Sequence, residues 1–402
     1  MRSLASIEQD CVERAAAEPM LDQVQAWAAI NSGSRNLAGL GTVALQLADG
    51  FAALPGEIAL TAPTPVDAID AEGRALPVDH GQNLHLRVRP DAPFQLLLTG
   101  HMDTVFDADH AFQRTEWLAD GVLGGPGVAD MKGGIAVMLA ALKAVEASGA
   151  APSLGYEIVI NSDEEVGSPG SAALIAAAAR GKRAALTYEP SALPDGTLAG
   201  ARPGSGNFSF IVRGRSAHAG RNPEDGRNAV VAAADLALRL ERGKRHGLSV
   251  NPARVDGGGP NNVVPDLAIL RLNLRPATPD DQAQAQAMID STVAAVAAEH
   301  DVKIEVYGGF GRPPKPMTPQ AEALFGLVRQ AGADLGQVIG WQSTGGVCDG
   351  NNIAACGVPV VDTMGVRGGK IHSAEEYLIV DSLKERAALS ALTILRLVEG
   401  RA

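Results

Sequence analysis

Seven residues carry the chemistry this sequence can support: His101, Asp103, Asp130, Glu164, Glu165, Glu189 and His372. Each lies just past a short apolar run or in a glycine-rich turn. The opening example is Leu96-Leu97-Leu98, which runs through Gly100 into His101-Met-Asp103, the one His-x-Asp in the chain. Adjacent carboxylates such as Glu164-Glu165 are costly to hold together unless a cation compensates them. Taken together, the nitrogen and oxygen donors, with no thiolate, suit two divalent ions, zinc first, with cobalt or manganese possible. If Asp130 bridges, one ion takes His101, Asp130 and Glu189, and the other takes Asp130, Glu165 and His372. Such pairs sit roughly 3.5–4 Å apart and lower the pKa of a shared water from about 15.7 toward 7. Glu164 is left over as a proton carrier, and Asp103 is placed to orient His101 from behind.

These residues need a scaffold that brings distant strand ends together. The apolar run before His101 reads as a buried parallel strand, and ligands of open α/β sheets gather at the carboxyl ends of such strands. Leu154 to Ile160 and Ala184 to Tyr188 repeat the pattern, ending before Glu164-Glu165 and at Glu189. Helical spacing marks residues 1 to 55, Ile135 to Val145, Pro319 to Ala333 and the C-terminal stretch around Leu383 to Leu395. Asp130 stands just before the second of these, where an aspartate could be a helix cap. Ser168-Pro169 reads as the opening of another helix.

Between about residues 200 and 311 the pattern changes. Alternating strands (Asn207 to Arg213, Leu248 to Asp256, Leu267 to Arg275, Val302 to Tyr307) enclose two helices in the order β-α-β-β-α-β, a ferredoxin-like unit. The expected fold is therefore α/β: a mainly parallel central sheet flanked by helices, plus an inserted α+β unit.

Bulk properties narrow the partners. The 402 residues carry a net charge of −12, which argues against nucleic acid, whose binders need a basic footprint. Three cysteines without CxxC spacing fit a reducing compartment, and no apolar leader or membrane-length run is evident, so a cytoplasmic protein without membrane association is expected. No G-x-G-x-x-G follows an early strand with an acidic partner, which leaves a dehydrogenase reading weak.

Six ordered stretches spread over nearly the whole chain carry a resemblance. They are His101-Met-Asp103, Gly127-Val-Ala-Asp-Met-Lys-Gly-Gly134, Asp163-Glu-Glu-Val-Gly167, Glu189-Pro190, Ser216-Ala-His-Ala-Gly220 and His372-Ser373. Together they resemble the co-catalytic zinc peptidase family that includes glutamate carboxypeptidase, acetylornithine deacetylase, succinyl-diaminopimelate desuccinylase and aminoacylase. The resemblance implies a discontinuous catalytic domain (1–199 and 312–402) and a lid and dimerisation domain (200–311). It implies two zinc ions on His101, Asp130, Glu165, Glu189 and His372, with Asp130 bridging, Glu164 as general acid/base and Asp103 supporting His101. His218 matches a lid histidine that reaches the partner subunit's site and stabilises the oxyanion. Asn262 and Arg275 resemble residues gripping the substrate carboxylate, and Gly345, Gly346 and Asp349 resemble a pocket loop, in which Cys348 replaces a small hydroxyl residue. Arg312 and Arg367 are further candidates for charged substrate contacts.

Glutamate at position 189 goes, within that family, with carboxypeptidases and N-deacylases, and the run Gly365 to Gly369 looks closest to glutamate carboxypeptidase. The implied activity is release of a C-terminal amino acid from a small peptide or N-acyl amino acid by a homodimer. The alternative is an N-acyl-amino-acid deacylase of the acetylornithine or aminoacylase kind. A non-catalytic relative kept as a binding module would have lost a ligand or Glu164, and all are present.

Overall fold

The structure, a computed structural model, describes residues 3–400. The strands that matter are β1 (Glu57–Thr61), β2 (Asn83–Val88), β3 (Phe94–His101), β4 (Leu154–Asn161), β5 (Ala184–Thr187), β6 (Ser205–Arg213), β7 (Leu248–Gly257), β8 (Leu267–Pro276), β9 (Lys303–Arg312) and β10 (Val360–Val361). The helices are α1 (Ser6–Ala17), α2 (Met20–Ala28), α3 (Leu37–Phe51), α4 (Gly133–Glu146), α5 (Ala172–Ala179), α6 (Ala229–Glu241), α7 (Pro279–His300), α8 (Pro319–Asp334), α9 (Asp349–Ala355) and α10 (Asp381–Val398).

One six-stranded sheet, in the order β1-β2-β4-β3-β5-β10, is the platform for the site. β3 pairs parallel with β4 and β5, and β5 with β10, whereas β1 and β2 join antiparallel at one edge. Leu96, Leu97 and Leu98 are all 0% exposed because both faces of β3 are covered, as a parallel strand requires. Leu96 and Leu98 join a core shared with α1, α2, α3, α4, α8 and α10, while Leu97 packs with Ile175, Ala178 and Ile353 of α5 and α9. Close helix–sheet approach depends on Gly134: a Cβ there would lie 1.9 Å from the Tyr188 carbonyl oxygen.

The inserted unit folds as the order of its elements predicts. β6, β7, β8 and β9 form an antiparallel sheet in the order β7-β8-β6-β9. One face of this sheet presents Phe208, Phe210, Leu270, Leu272 and Leu274 to α6 and α7. The opposite face places Ile211 and Ile269 against Ile69 of the hairpin Val66–Ile69/Ala75–Val78. Two chain crossings connect this unit to the main body, and they pair with each other: Arg202 N–H donates to the Lys315 carbonyl (2.9 Å) and Lys315 N–H to the Arg202 carbonyl (3.0 Å). Both side chains then converge on buried Asp362, Arg202 at 2.7 Å and Lys315 at 3.0 Å.

Three local expectations change. β9 runs on to Arg312 rather than stopping near Tyr307, since Gly308 (φ +93°), Gly309 and Gly311 interrupt the apolar alternation without ending the ladder to β6. The helix expected at Ser168-Pro169 begins at Ala172, because Ser168 makes side-chain contacts instead of capping. Asp130 is not a helix cap: it lies in an irregular turn with a cis peptide to Met131, and α4 starts at Gly133. Among the described residues no helix is long and apolar enough to cross a membrane.

Candidate metal centre

Four parallel or neighbouring segments deliver the site. β3 ends at His101, the loop after β4 carries Glu164 and Glu165, the loop after β5 carries Glu189, and the turn before α4 carries Asp130. His372 arrives from the loop preceding α10, with its own backbone at φ +62°. A non-glycine residue there is uncommon, and such strain gathers at functional loops.

Asp130 stands at the centre, and its two carboxylate oxygens face opposite ways. Oδ1 lies 3.1 Å from His101 Nε2, and the same nitrogen lies 3.7 Å from Glu189 Oε2. Oδ2 lies 3.3 Å from His372 Nε2, which is 3.0 Å from Glu165 Oε2. Donor atoms of His101, Asp130 and Glu165 lie within 4.8 Å of one another, as do those of His101, Glu164 and Glu189. His101, Asp130 and Glu189 are buried, whereas the His372 side chain is 55% exposed, so the cluster opens to solvent on that side.

The donor chemistry fits divalent metal. Two imidazoles and three carboxylates, one with its oxygens divided between two groups, make a bridged nitrogen–oxygen set. The electrostatics agree. Burial, then repulsion from Asp130, pushes the Glu165 carboxyl up to about 7. Burial likewise raises Glu189 to about 7, against the pull of His101. Burial would lower His101, but Glu189, Asp103 and Asp130 hold its imidazole well above the ordinary value. Hydrogen bonds to Asp130 and Glu165 raise His372 to about 11. Burial works against ionising Asp130, yet its hydrogen bonds to both imidazoles keep it below the usual carboxylate range. Positive charge is what this group of acids demands.

The supporting groups are more specific than their sequence suggests. His101 Nδ1 bonds the backbone carbonyl of Asp103 at 3.0 Å, closer than its carboxylate at 3.4 Å. That carboxylate accepts instead from the Glu164 and Glu165 N–H groups, each at 3.1 Å, and from Ser34 Oγ at 2.6 Å. Asp103 therefore shapes the Glu164–Glu165 turn as well as steadying His101. Glu376, which the sequence does not single out, accepts from Gly127, Ala129 and Asp130 N–H at 3.1, 2.9 and 3.0 Å and so holds the Asp130 turn. Its one sequence signal is an acid four residues past His372.

The remaining candidates scatter. His218 and Asn262 are exposed on adjoining loops, where the Asn262 carbonyl accepts from Ala219 N–H at 2.9 Å. His218 Nδ1 accepts from Gly220 N–H, and among the described residues no hydrogen bond or ion pair joins it to the cluster. Arg275 is exposed and donates to the Gly345 carbonyl at 3.0 Å, and Arg202 donates to that of Gly346 at 3.2 Å. Asp349 is buried and accepts from Asn161 (2.9 Å) and Ser168 (2.5 Å). Arg367 pairs with Glu385 at 2.9 Å on another face.

A profile of Peptidase family M20/M25/M40 matches residues 97–396, which carry every one of the seven cluster residues. The chain belongs to this peptidase family. Carboxypeptidase G2 of Pseudomonas sp. (strain RS-16) is 31% identical over 331 residues, covering 80% of this chain and 78% of the relative. Succinyl-diaminopimelate desuccinylase of Methylobacterium sp. (strain 4-46) is 32% identical over 338 residues, covering 77% and 81%. Among solved structures, a tripeptidase from Staphylococcus aureus superposes with a TM-score of 0.70 at 25% identity, covering 97% of this chain and 98% of that one. A family M20 metallo-carboxypeptidase from Sulfolobus solfataricus shares the fold with a TM-score of 0.69 at 14% identity, covering 95% and 99%. The M20 chain described here is thus a peptidase-type hydrolase with a candidate site for divalent metal.

Proposed function

We propose that this M20 hydrolase cleaves an amide bond whose amine half bears a free carboxylate, releasing a C-terminal amino acid in the manner of a glutamate carboxypeptidase. The observation that carries the reading is the divided Asp130 carboxylate, with His101 and Glu189 on one side and Glu165 and His372 on the other. Those five residues would hold two zinc ions, which supply Lewis acidity and acidify a water when bound.

The chain's own groups do the rest. Glu164 stands beside this set without being needed as a ligand, with its side chain 10% exposed. It takes the proton from the attacking water and returns it to the departing nitrogen, a role worth roughly 100- to 10,000-fold. Arg275, exposed at the Gly345 loop, offers a fork for the substrate carboxylate. His218 acts in a partner subunit's site as donor to the oxyanion. That role requires a homodimer formed through the inserted unit, whose α6 exposes Val231 and Leu238 two turns apart. A monomer in light scattering with undiminished activity would remove the dimer and the role of His218 together.

Support for a carboxypeptidase comes from the likeness to Carboxypeptidase G2. The desuccinylase relatives favour a second reading, hydrolysis of an N-acyl amino acid. A panel of peptides and N-acyl amino acids varied in both halves separates the two. Within it, Glu164→Ala is expected to keep its metal by elemental analysis and to lose turnover by at least about 100-fold. Unchanged turnover would remove the mechanism. Dialysis against a chelator is expected to abolish activity, and added Zn²⁺ to restore it.

A further inference from the structure

We propose that Arg312 is a positioning residue for Glu164, and that through it the placement of Glu164 is tied to the seating of the inserted unit. The proposal rests on the reading of Glu164 as proton carrier. Arg312 is the last residue of β9 and is 4% exposed. Its Nη2 lies 2.7 Å from Glu164 Oε1 and donates to the Glu164 backbone carbonyl and to Ser168 Oγ, both at 3.0 Å. Nη1 lies 3.2 Å from Asp349 Oδ1. Main chain and side chain of the same glutamate are thus held by one planar, rigid group.

Nη2 is taken up by three protein acceptors, while Nη1 makes no hydrogen bond among the described residues and faces the buried Asp349 carboxylate. Arg275, by contrast, is exposed, and its contacts are the Gly345 carbonyl and Asn273. Asp349 explains why Arg312 stays put. It is anchored by Asn161 and Ser168, and its Oδ1 lies 3.2 Å from Nη1 of the guanidinium.

The location adds the second half of the proposal. Arg312 pairs with Ser205, so it sits where the inserted sheet meets its two crossings. One residue on, the Pro313 carbonyl accepts from Asn351 Nδ2 at 2.8 Å, and the same amide donates to Pro203 on the other crossing at 2.9 Å. A shift of the inserted unit at this pivot would carry Arg312 with it, and a misplacement of about 1 Å near the chemistry can cost about 100-fold.

The test compares metal-loaded wild type, Arg312→Lys and Arg312→Ala by kinetics and by crystallography. Expected for Arg312→Ala is a kcat lower by about 100-fold with KM within about threefold, and for Arg312→Lys a partial recovery of kcat. A KM raised about tenfold with kcat preserved would assign Arg312 to substrate binding and overturn the proposal. So would a wild-type kcat in Arg312→Lys, should the alanine variant fail to fold. Crystal structures decide placement independently of turnover: Glu164 is expected in one orientation in the wild type and displaced in the variants. An unmoved Glu164 overturns the proposal whatever the rates. An inactive wild type with a displaced Glu164 in the variants would uphold the positioning role and remove the functional reading instead.

Discussion

At the scale of single residues, the site is built on carboxylates that do different jobs by virtue of what surrounds them. Asp130 divides its oxygens between two imidazoles, Asp103 gives its oxygens to backbone N–H groups, and Glu376 gives both of its oxygens to the turn that carries Asp130. Glu376→Gln keeps the shape but replaces an all-acceptor group with one that must donate on one side. Partners of this outer kind are commonly worth about 10- to 100-fold in metal affinity or activity. A loss in that range is expected by competitive Zn²⁺ titration, and an unchanged affinity would show that the turn holds itself. The seven clustered residues stood out in the sequence because each follows an apolar run or lies in a glycine-rich turn. Glu376 did not, since Ala374-Glu375-Glu376 looks like a solvated loop, and its partners lie more than 240 residues away in the chain.

At the scale of elements, the sheet carrying the site is fastened at its antiparallel edge by charge. Glu157 on β4 meets His85 of β2 at 2.7 Å and Lys182, just ahead of β5, at 2.8 Å. Burial would raise the Glu157 carboxyl, but these two partners overcome it and hold the group down at about 2. A carboxyl depressed in the fold contributes stability above its unfolded value near 4.5, and that contribution fades as pH falls through about 4 toward 2. Glu157→Gln is therefore expected to lose about 1 kcal/mol at pH 7, with the difference closing below pH 4, by denaturant unfolding at several pH values. A constant difference across that range would exclude the ion pairs as its source. Periodicity revealed most elements of both sheets, including the order of the inserted unit. It failed where side chains have other uses. The glycines of β9 hid only the second half of that strand, whose last residue is Arg312, and Ser168 looks like a cap only until Arg312 and Asp349 claim its hydroxyl.

At the scale of the whole molecule, the inserted unit is held at more than its two crossings. Arg271 donates to the Ile69 carbonyl at 2.8 Å, and Arg275 reaches the Gly345 loop. Asp362 is the shared anchor, with the guanidinium of Arg202 and the ammonium of Lys315 both buried upon it. Removing that carboxylate strands two buried cations. Asp362→Ala is expected to cost about 3–5 kcal/mol, read as a lowered melting temperature. A cost under about 1 kcal/mol would mean that both side chains find water. None of this was visible in the sequence, where Arg202, Lys315 and Asp362 lie in unrelated stretches without a shared pattern.

Because Arg202 and Lys315 bond each other's main chain, the polypeptide leaves and re-enters the main body at nearly the same spot. A gene in which a brief glycine bridge replaces everything between them should therefore yield a continuous core able to take up a divalent metal, while the excised piece could be closed into a ring or transplanted by the same two ends.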